Sequence, residues 1–293
     1  MHIVITDSGV GGLSVCAYAE RFVRTHGSSE PVRLTFANAA PANDYGYNSM
    51  PSRAVKLETF DRFLTSVNAR YEPDLIYVAC NTLSVLLPDT PFFAKGLTPV
   101  KGIVETASDL LLRELDAHPE SIALIFGTQT TIDAGTYPRL LQDRGIEESR
   151  IVSQACPGLA DTISEDREGT RTRSEIAAWV RTAIGKMQQQ DKPVVACLAC
   201  THYGYRKDLF ASALEEAGIR ATVINPNERA TDDLFGKQSG ETGAQTNRDV
   251  DVEFVTRYAI PPATVEALTW FLSDISPRTV AAMRDFVHVP DLF

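Results

Sequence analysis

Two short segments carry matching chemistry. VACNTLSV (78–85) and LACTHYGY (198–205) each end an apolar run at a cysteine and open a polar one. Cys80 is followed by Asn81 and Thr82, and Cys200 by Thr201 and His202. A free thiol titrates near ~8.5, so a modest downward shift makes it a base at neutral pH. A cysteine at a strand end, close to backbone N–H groups and a helix start, is expected to gain that shift. The polar neighbours can hydrogen-bond a ligand held between the two cysteines. The alternative for each is plain packing, because free cysteine often serves as a small buried hydrophobe. Two cysteines in the same context favour function over packing. Cys197 and Cys200 also form a C-x-x-C. With no second such pair and strand-like flanks, a metal or redox role is the weaker reading. Cys16 falls in a helical pattern and Cys197 inside a strand, where packing is the default.

A third segment, TDSGVGGLSV (6–15), follows a short strand and runs into a helix. Its glycines allow tight turns and close backbone approach to a ligand. Ser14 stands where the dinucleotide fingerprint needs its last glycine, which argues against a nucleotide. Asp7, at the strand end, can orient a neighbour or relay a proton, or simply cap the helix.

The elements that must carry these groups alternate. Strands are expected at 2–6, 31–37, 75–80, 99–104, 122–127, 150–155, 193–200, 221–226 and 252–256, and helices at 52–71, 105–117, 172–190, 206–218 and 262–272. The helical stretches repeat apolar residues at spacings of three and four. Such alternation points to βαβ units and parallel sheets. Nine strands are many for one sheet, so two sheets in two lobes are expected. Residues 236–250 read as a polar loop.

Composition sets outer bounds. The chain has 293 residues, 44% of them hydrophobic and 23% charged, as in ordinary globular proteins. A formal net charge of −10 argues against nucleic acid as a partner. No apolar run is long enough for a bilayer, and the N-terminus lacks a signal-peptide pattern, so no membrane partner and a cytoplasmic address are expected. Five cysteines, an odd number, do not suggest a disulfide framework.

TDSGVGGLSV, VACNT and ACTHY, in this order, resemble the glutamate racemase family of the aspartate/glutamate racemase superfamily. NDYGYNS (43–49), VKGIVETA (100–107), FGTQTTIDAGTYPRLL (126–141), ACPGL (155–159), INPNERATDDL (224–234) and the ending VTRYAIPPATVEALTWFL (255–272) resemble it too. The resemblance implies two doubly wound α/β lobes with mainly parallel sheets, related by a pseudo-twofold, with the active site in the cleft between them. The expected lobes are 1–98 with 207–272, and 99–206; residues 273–293 form a C-terminal extension without assigned role.

It also implies an isomerase that racemises an amino acid, most simply glutamate, with neither pyridoxal phosphate nor metal. One cysteine thiolate would remove the α-proton and the other thiol would return one to the opposite face. Cys80 and Cys200 would be the bases, with Asp7 assisting Cys80 and His202 assisting Cys200. Ser8, Asn81, Thr82, Thr128, Thr131, Thr201 and the backbone of Tyr45–Gly46 would bind the substrate as neutral donors. The partner is a small amino acid; the oligomeric state is open, a homodimer being one option. If the product is D-glutamate, the pathway implied is peptidoglycan synthesis.

The chain departs from the family pattern in places. Asn38 replaces an aspartate, AAPANDYG replaces a stretch with arginine and proline before the tyrosine–glycine pair, and Gly204 replaces a proline. The family glutamate after the ACP segment falls at Ser164 or Glu165. Two other readings therefore stay open: a racemase or epimerase of the same superfamily acting on aspartate or another small acid, and a non-catalytic binding protein on this scaffold.

Overall fold

The computed structural model describes residues 1–236 and 247–293. The chain divides into two compact units, Met1–Ile103 with Asn227–Phe293, and Val104–Pro226. The first holds a sheet of β1 (His2–Asp7), β2 (Val32–Asn38), β3 (Leu75–Val78), β4 (Val100–Gly102), β9 (Val250–Thr256) and β10 (Val287–His288), ordered β10-β9-β2-β1-β3-β4. The second holds β5 (Ile122–Gly127), β6 (Ile151–Ala155), β7 (Val194–Ala199) and β8 (Ala221–Ile224), ordered β6-β5-β7-β8. Every pairing in both sheets is parallel.

Parallel strands are covered on both faces, so their sequences read as unbroken apolar runs. IALIFG of β5 and VVACLA of β7 are buried at every position. Helices supply the cover. In the helix Arg53–Tyr71, Phe60, Phe63, Leu64 and Val67 form one buried face, as their spacing demands. Ser52 caps this helix by accepting from the Val55 N–H at 3.3 Å.

All nine expected strands are present, and four differences are physical. The helix expected over 172–190 runs Thr170–Gly185 and stops at a glycine. Of the loop expected at 236–250, residues 237–246 lie outside the described residues, and β9 already begins at Val250. Residues 99–103, expected in the second lobe, lie in the first unit, where β4 pairs with β3, and residues 207–226, expected in the first lobe, lie in the second unit, where β8 pairs with β7. The tail 273–293 belongs to the first unit's core. Ser276 caps the helix Pro277–Arg284, and β10 extends the sheet beside β9. Leu292 is fully buried, Phe293 meets Phe63 edge-on at 5.2 Å, and the Arg257 guanidinium lies 4.7 Å from the Phe293 ring centre.

Candidate active site

Each unit carries one cysteine just past the carboxyl end of one of its strands, with a short helical turn directly after it. In the first unit β3 ends at Val78, and Cys80 directly precedes the short helix Asn81–Ser84 with extended backbone, φ −143° and ψ 120°. In the second, β7 ends at Ala199, and Cys200 directly precedes the 3₁₀ turn Thr201–Arg206 at φ −152° and ψ 131°. The carboxyl edge of a parallel sheet is where α/β proteins gather ligands.

Around Cys80, sheet register does the positioning. Thr6 pairs with Val78, and Asp7 pairs with Asn38, so Asp7, Ser8 and Cys80 leave neighbouring strands together. Ser8 Oγ lies 3.2 Å from Cys80 Sγ and 3.4 Å from Asp7 Oδ1. With Ser8 donating to the carboxylate and the thiol donating to Ser8, the three form a relay from sulfur to acid. Cys80, Asp7, Asn81 and Thr82 are all buried. Gly12 is required here by close approach: a Cβ would meet the Ala79 carbonyl oxygen and Asp7 Oδ2, each at 2.9 Å. The 43–49 segment reaches the same place, since Tyr47 is buried in one apolar cluster with Cys80, while Tyr45 is 40% exposed.

The expected depression of the Cys80 thiol is not what this environment produces. Burial, and then the negative charge of Asp7, push it well above its ordinary value; the Ser8 hydroxyl and the N–H groups of Ser8 and Leu83 offset only part. This environment favours the thiol form of Cys80 over the thiolate. Because the Asp7 charge raises the Cys80 pKa, removing it lowers that pKa and enlarges the thiolate fraction at any fixed pH below it. Asp7→Asn is expected to speed alkylation of Cys80 by iodoacetamide roughly threefold or more between pH 7 and 9. Peptide mass spectrometry of the time course reads this; an unchanged or slower rate would contradict the role given to Asp7.

Around Cys200, Gly127 pairs with Ala199, so Thr128 and Cys200 leave the sheet side by side. His202 Nδ1 is 4.0 Å from Cys200 Sγ. Thr128 caps the helix Gln129–Asp133 by accepting from the Thr131 N–H at 3.3 Å, and the two hydroxyls are 3.0 Å apart. Thr128, Thr131 and Thr201 are buried. The buried Tyr203 hydroxyl bridges the Gly127 and Cys156 carbonyls at 3.3 and 3.1 Å, tying the loop after β7 to the ends of β5 and β6. Nothing in the sequence motifs flagged Tyr203 as a strut, because its acceptors are backbone atoms far away in the chain.

At Gly204 a Cβ would fall 2.6 Å from Asn225 Oδ1, so the glycine admits the Asn225 side chain. Ser164 is buried and bonds the Ala160 carbonyl, whereas Glu165 faces outward and pairs with Arg171 at 3.2 Å. Burial pushes the Cys16 and Cys197 thiols up to about 12, which suits packing residues. No disulfide joins any of the five cysteines, and among the described residues no cluster of three or more His, Cys, Asp or Glu could hold a metal. Nor is any described helix long and apolar enough to cross a membrane.

No protein-family model matches the chain. It is 27% identical over 231 residues to the glutamate racemase of Chlorobaculum tepidum, covering 77% of this chain and 75% of that protein. Its fold matches the crystal structure of glutamate racemase isoform RacE1 from Bacillus anthracis, with a TM-score of 0.70 at 21% identity, over 92% of this chain and 93% of that one. The glutamate racemase from Francisella tularensis, solved in complex with D-glutamate, matches with a TM-score of 0.69 at 20% identity over 92% and 93%. In sequence this chain is similar to glutamate racemases, and it shares their fold.

Proposed function

We propose that the chain is a cofactor-independent amino-acid racemase that interconverts L- and D-glutamate, with Cys80 and Cys200 as its two bases. The observation that carries this reading is the duplicated half-site. Two cysteines stand just beyond a strand's carboxyl end, Cys80 two residues after β3 and Cys200 one residue after β7, and each has an acid–base group at hand: Asp7 through Ser8, and His202. A single functional cysteine would not call for the second arrangement.

The chemistry follows from proton bookkeeping. Inverting a carbon needs a thiolate on one face and a thiol on the other. In one direction the Cys80 thiol delivers a proton while Cys200, having passed its own proton to His202, takes the α-proton as a thiolate. In the reverse direction Cys80 first gives its proton along Ser8 toward Asp7. As the α-proton leaves, negative charge moves onto the substrate carboxylate, where neutral donors such as Asn81, Thr82 and Thr201 stabilise it. Holding both sulfurs against one carbon supplies much of the remaining rate enhancement. D-Glutamate made this way would serve peptidoglycan synthesis, the role of the family.

The test is a panel of enantiopure amino acids, including glutamate and aspartate, incubated with wild-type protein in deuterated buffer without added cofactor. Loss of the α-proton signal by NMR is expected for both enantiomers of glutamate. Exchange confined to aspartate would move the substrate and keep the two-base chemistry; no exchange with any amino acid would remove the proposal.

A further inference from the structure

The Cys80 half-site continues sideways across the sheet into a polar network that no motif marks. Asp7 pairs with Asn38 across β1 and β2, and Ala37 pairs with Val255 across β2 and β9. Asp7, Asn38 and Thr256 therefore form one lateral row at the carboxyl edge, strands lying about 4.8 Å apart. Tyr258 follows two residues later.

The hydrogen bonds in this row can be assigned one by one. Asn38 is fully buried, and its Oδ1 accepts from the Ala40 N–H at 3.0 Å. That bond fixes which end of the amide is oxygen, so Nδ2 must be the donor. It donates to the Tyr258 hydroxyl oxygen at 3.1 Å and to Thr256 Oγ1 at 3.4 Å. Thr256 Oγ1 in turn donates to the Tyr258 carbonyl at 3.1 Å and accepts from the Tyr258 N–H at 3.4 Å. Every group is matched except one. The Tyr258 oxygen is occupied as an acceptor, and its own O–H hydrogen has no acceptor among the described residues. Tyr258 is only partly buried, and the Asp7 carboxylate is near enough to act on it electrostatically. Burial and the Asp7 charge both raise its pKa, keeping the phenol protonated.

We infer that Tyr258 is a substrate-binding residue of the Cys80 half-site, its hydroxyl held by Asn38 so that the O–H hydrogen is presented to a carboxylate of the bound amino acid. An amide at position 38 is what sets this polarity. A carboxylate there would accept the phenol hydrogen and turn it away from the ligand. Asp7 alone would repel an anion, and a neutral donor beside it lets the half-site take an ammonium and a carboxylate together.

The inference rests on the racemase reading, and its test separates the two. Tyr258→Phe, Asn38→Asp and the double variant are compared with wild type, using whichever amino acid the wild type exchanges. Steady-state KM and kcat, calorimetric Kd and the near-ultraviolet tyrosine difference spectrum on ligand saturation are measured, with thermal melts as folding controls. Tyr258→Phe is expected to raise KM and Kd on the order of tenfold, because a hydrogen bond to a charged group is lost, with kcat within about twofold. It also removes the ligand-induced tyrosine signal. Asn38→Asp is expected to reproduce the loss, and the double variant to be no worse than Tyr258→Phe alone. Unchanged KM in Tyr258→Phe, or losses that multiply in the double variant, would overturn the donor role while the racemase reading stands. A wild type that exchanges no amino acid would end both.

Discussion

Cys80→Ser and Cys200→Ser are each expected to abolish interconversion of the glutamate enantiomers, by on the order of 10²–10⁴-fold in kcat/KM. Serine preserves shape at both positions, and each side chain is nearly fully buried, so folding should survive. What serine cannot do is exchange a proton with an α-carbon at neutral pH. The two α-protons of the enantiomers project toward opposite faces. Residual deuterium wash-in should therefore fall on opposite enantiomers in the two variants, since each retains one working sulfur. Circular dichroism follows interconversion, and NMR of separate L- and D-glutamate samples in deuterated buffer follows wash-in. Retained racemisation in either variant would show that one sulfur suffices. Loss in one variant alone would reduce the other cysteine to packing.

The second large effect concerns a residue with no side chain. Gly12→Ala is expected to lower kcat/KM on the order of 10²-fold, the scale of a 1 Å misplacement at a reacting centre, and to destabilise the fold by about 1–3 kcal/mol. The added methyl would sit 2.9 Å from the Ala79 carbonyl oxygen and 3.0 Å from Asp7 Cβ. A backbone carbonyl cannot swing aside as a long side chain can. The strain is relieved by moving either the strand end that carries Cys80 or the acid that serves it. Gly185→Ala is the control, because nothing lies within 4 Å of its Cβ position and alanine suits a helix better than glycine. Thermal melts and kinetics on both variants check this. Activity and stability in Gly12→Ala equal to those of the control would mean that the β1–helix turn tolerates more than its geometry allows.

Much of this protein was written locally. Apolar runs such as IALIFG and VVACLA declare buried parallel strands because both faces of such strands are covered. The spacing of Phe60, Phe63, Leu64 and Val67 declares a helix face because 3.6 residues make a turn. Cys80 and Cys200, with their polar successors, were visible as strand ends for the same reason. What stayed hidden depends on residues that meet through space. The tail ending in Leu292 and Phe293 has too little periodicity to announce that it closes a core. The membership of β8 in the second unit follows from its pairing with β7, which no local pattern encodes. The state of the Cys80 thiol does not follow from its strand-end position. Burial and the Asp7 charge outweigh the N–H groups around it, and both arise only when β1 and β3 lie side by side. The direction of the Asn38–Tyr258 hydrogen bond likewise exists only once two residues 220 positions apart have folded to the same sheet edge. Short-range periodicity is carried by the order of side chains, whereas proton energetics are set by what each group faces after folding.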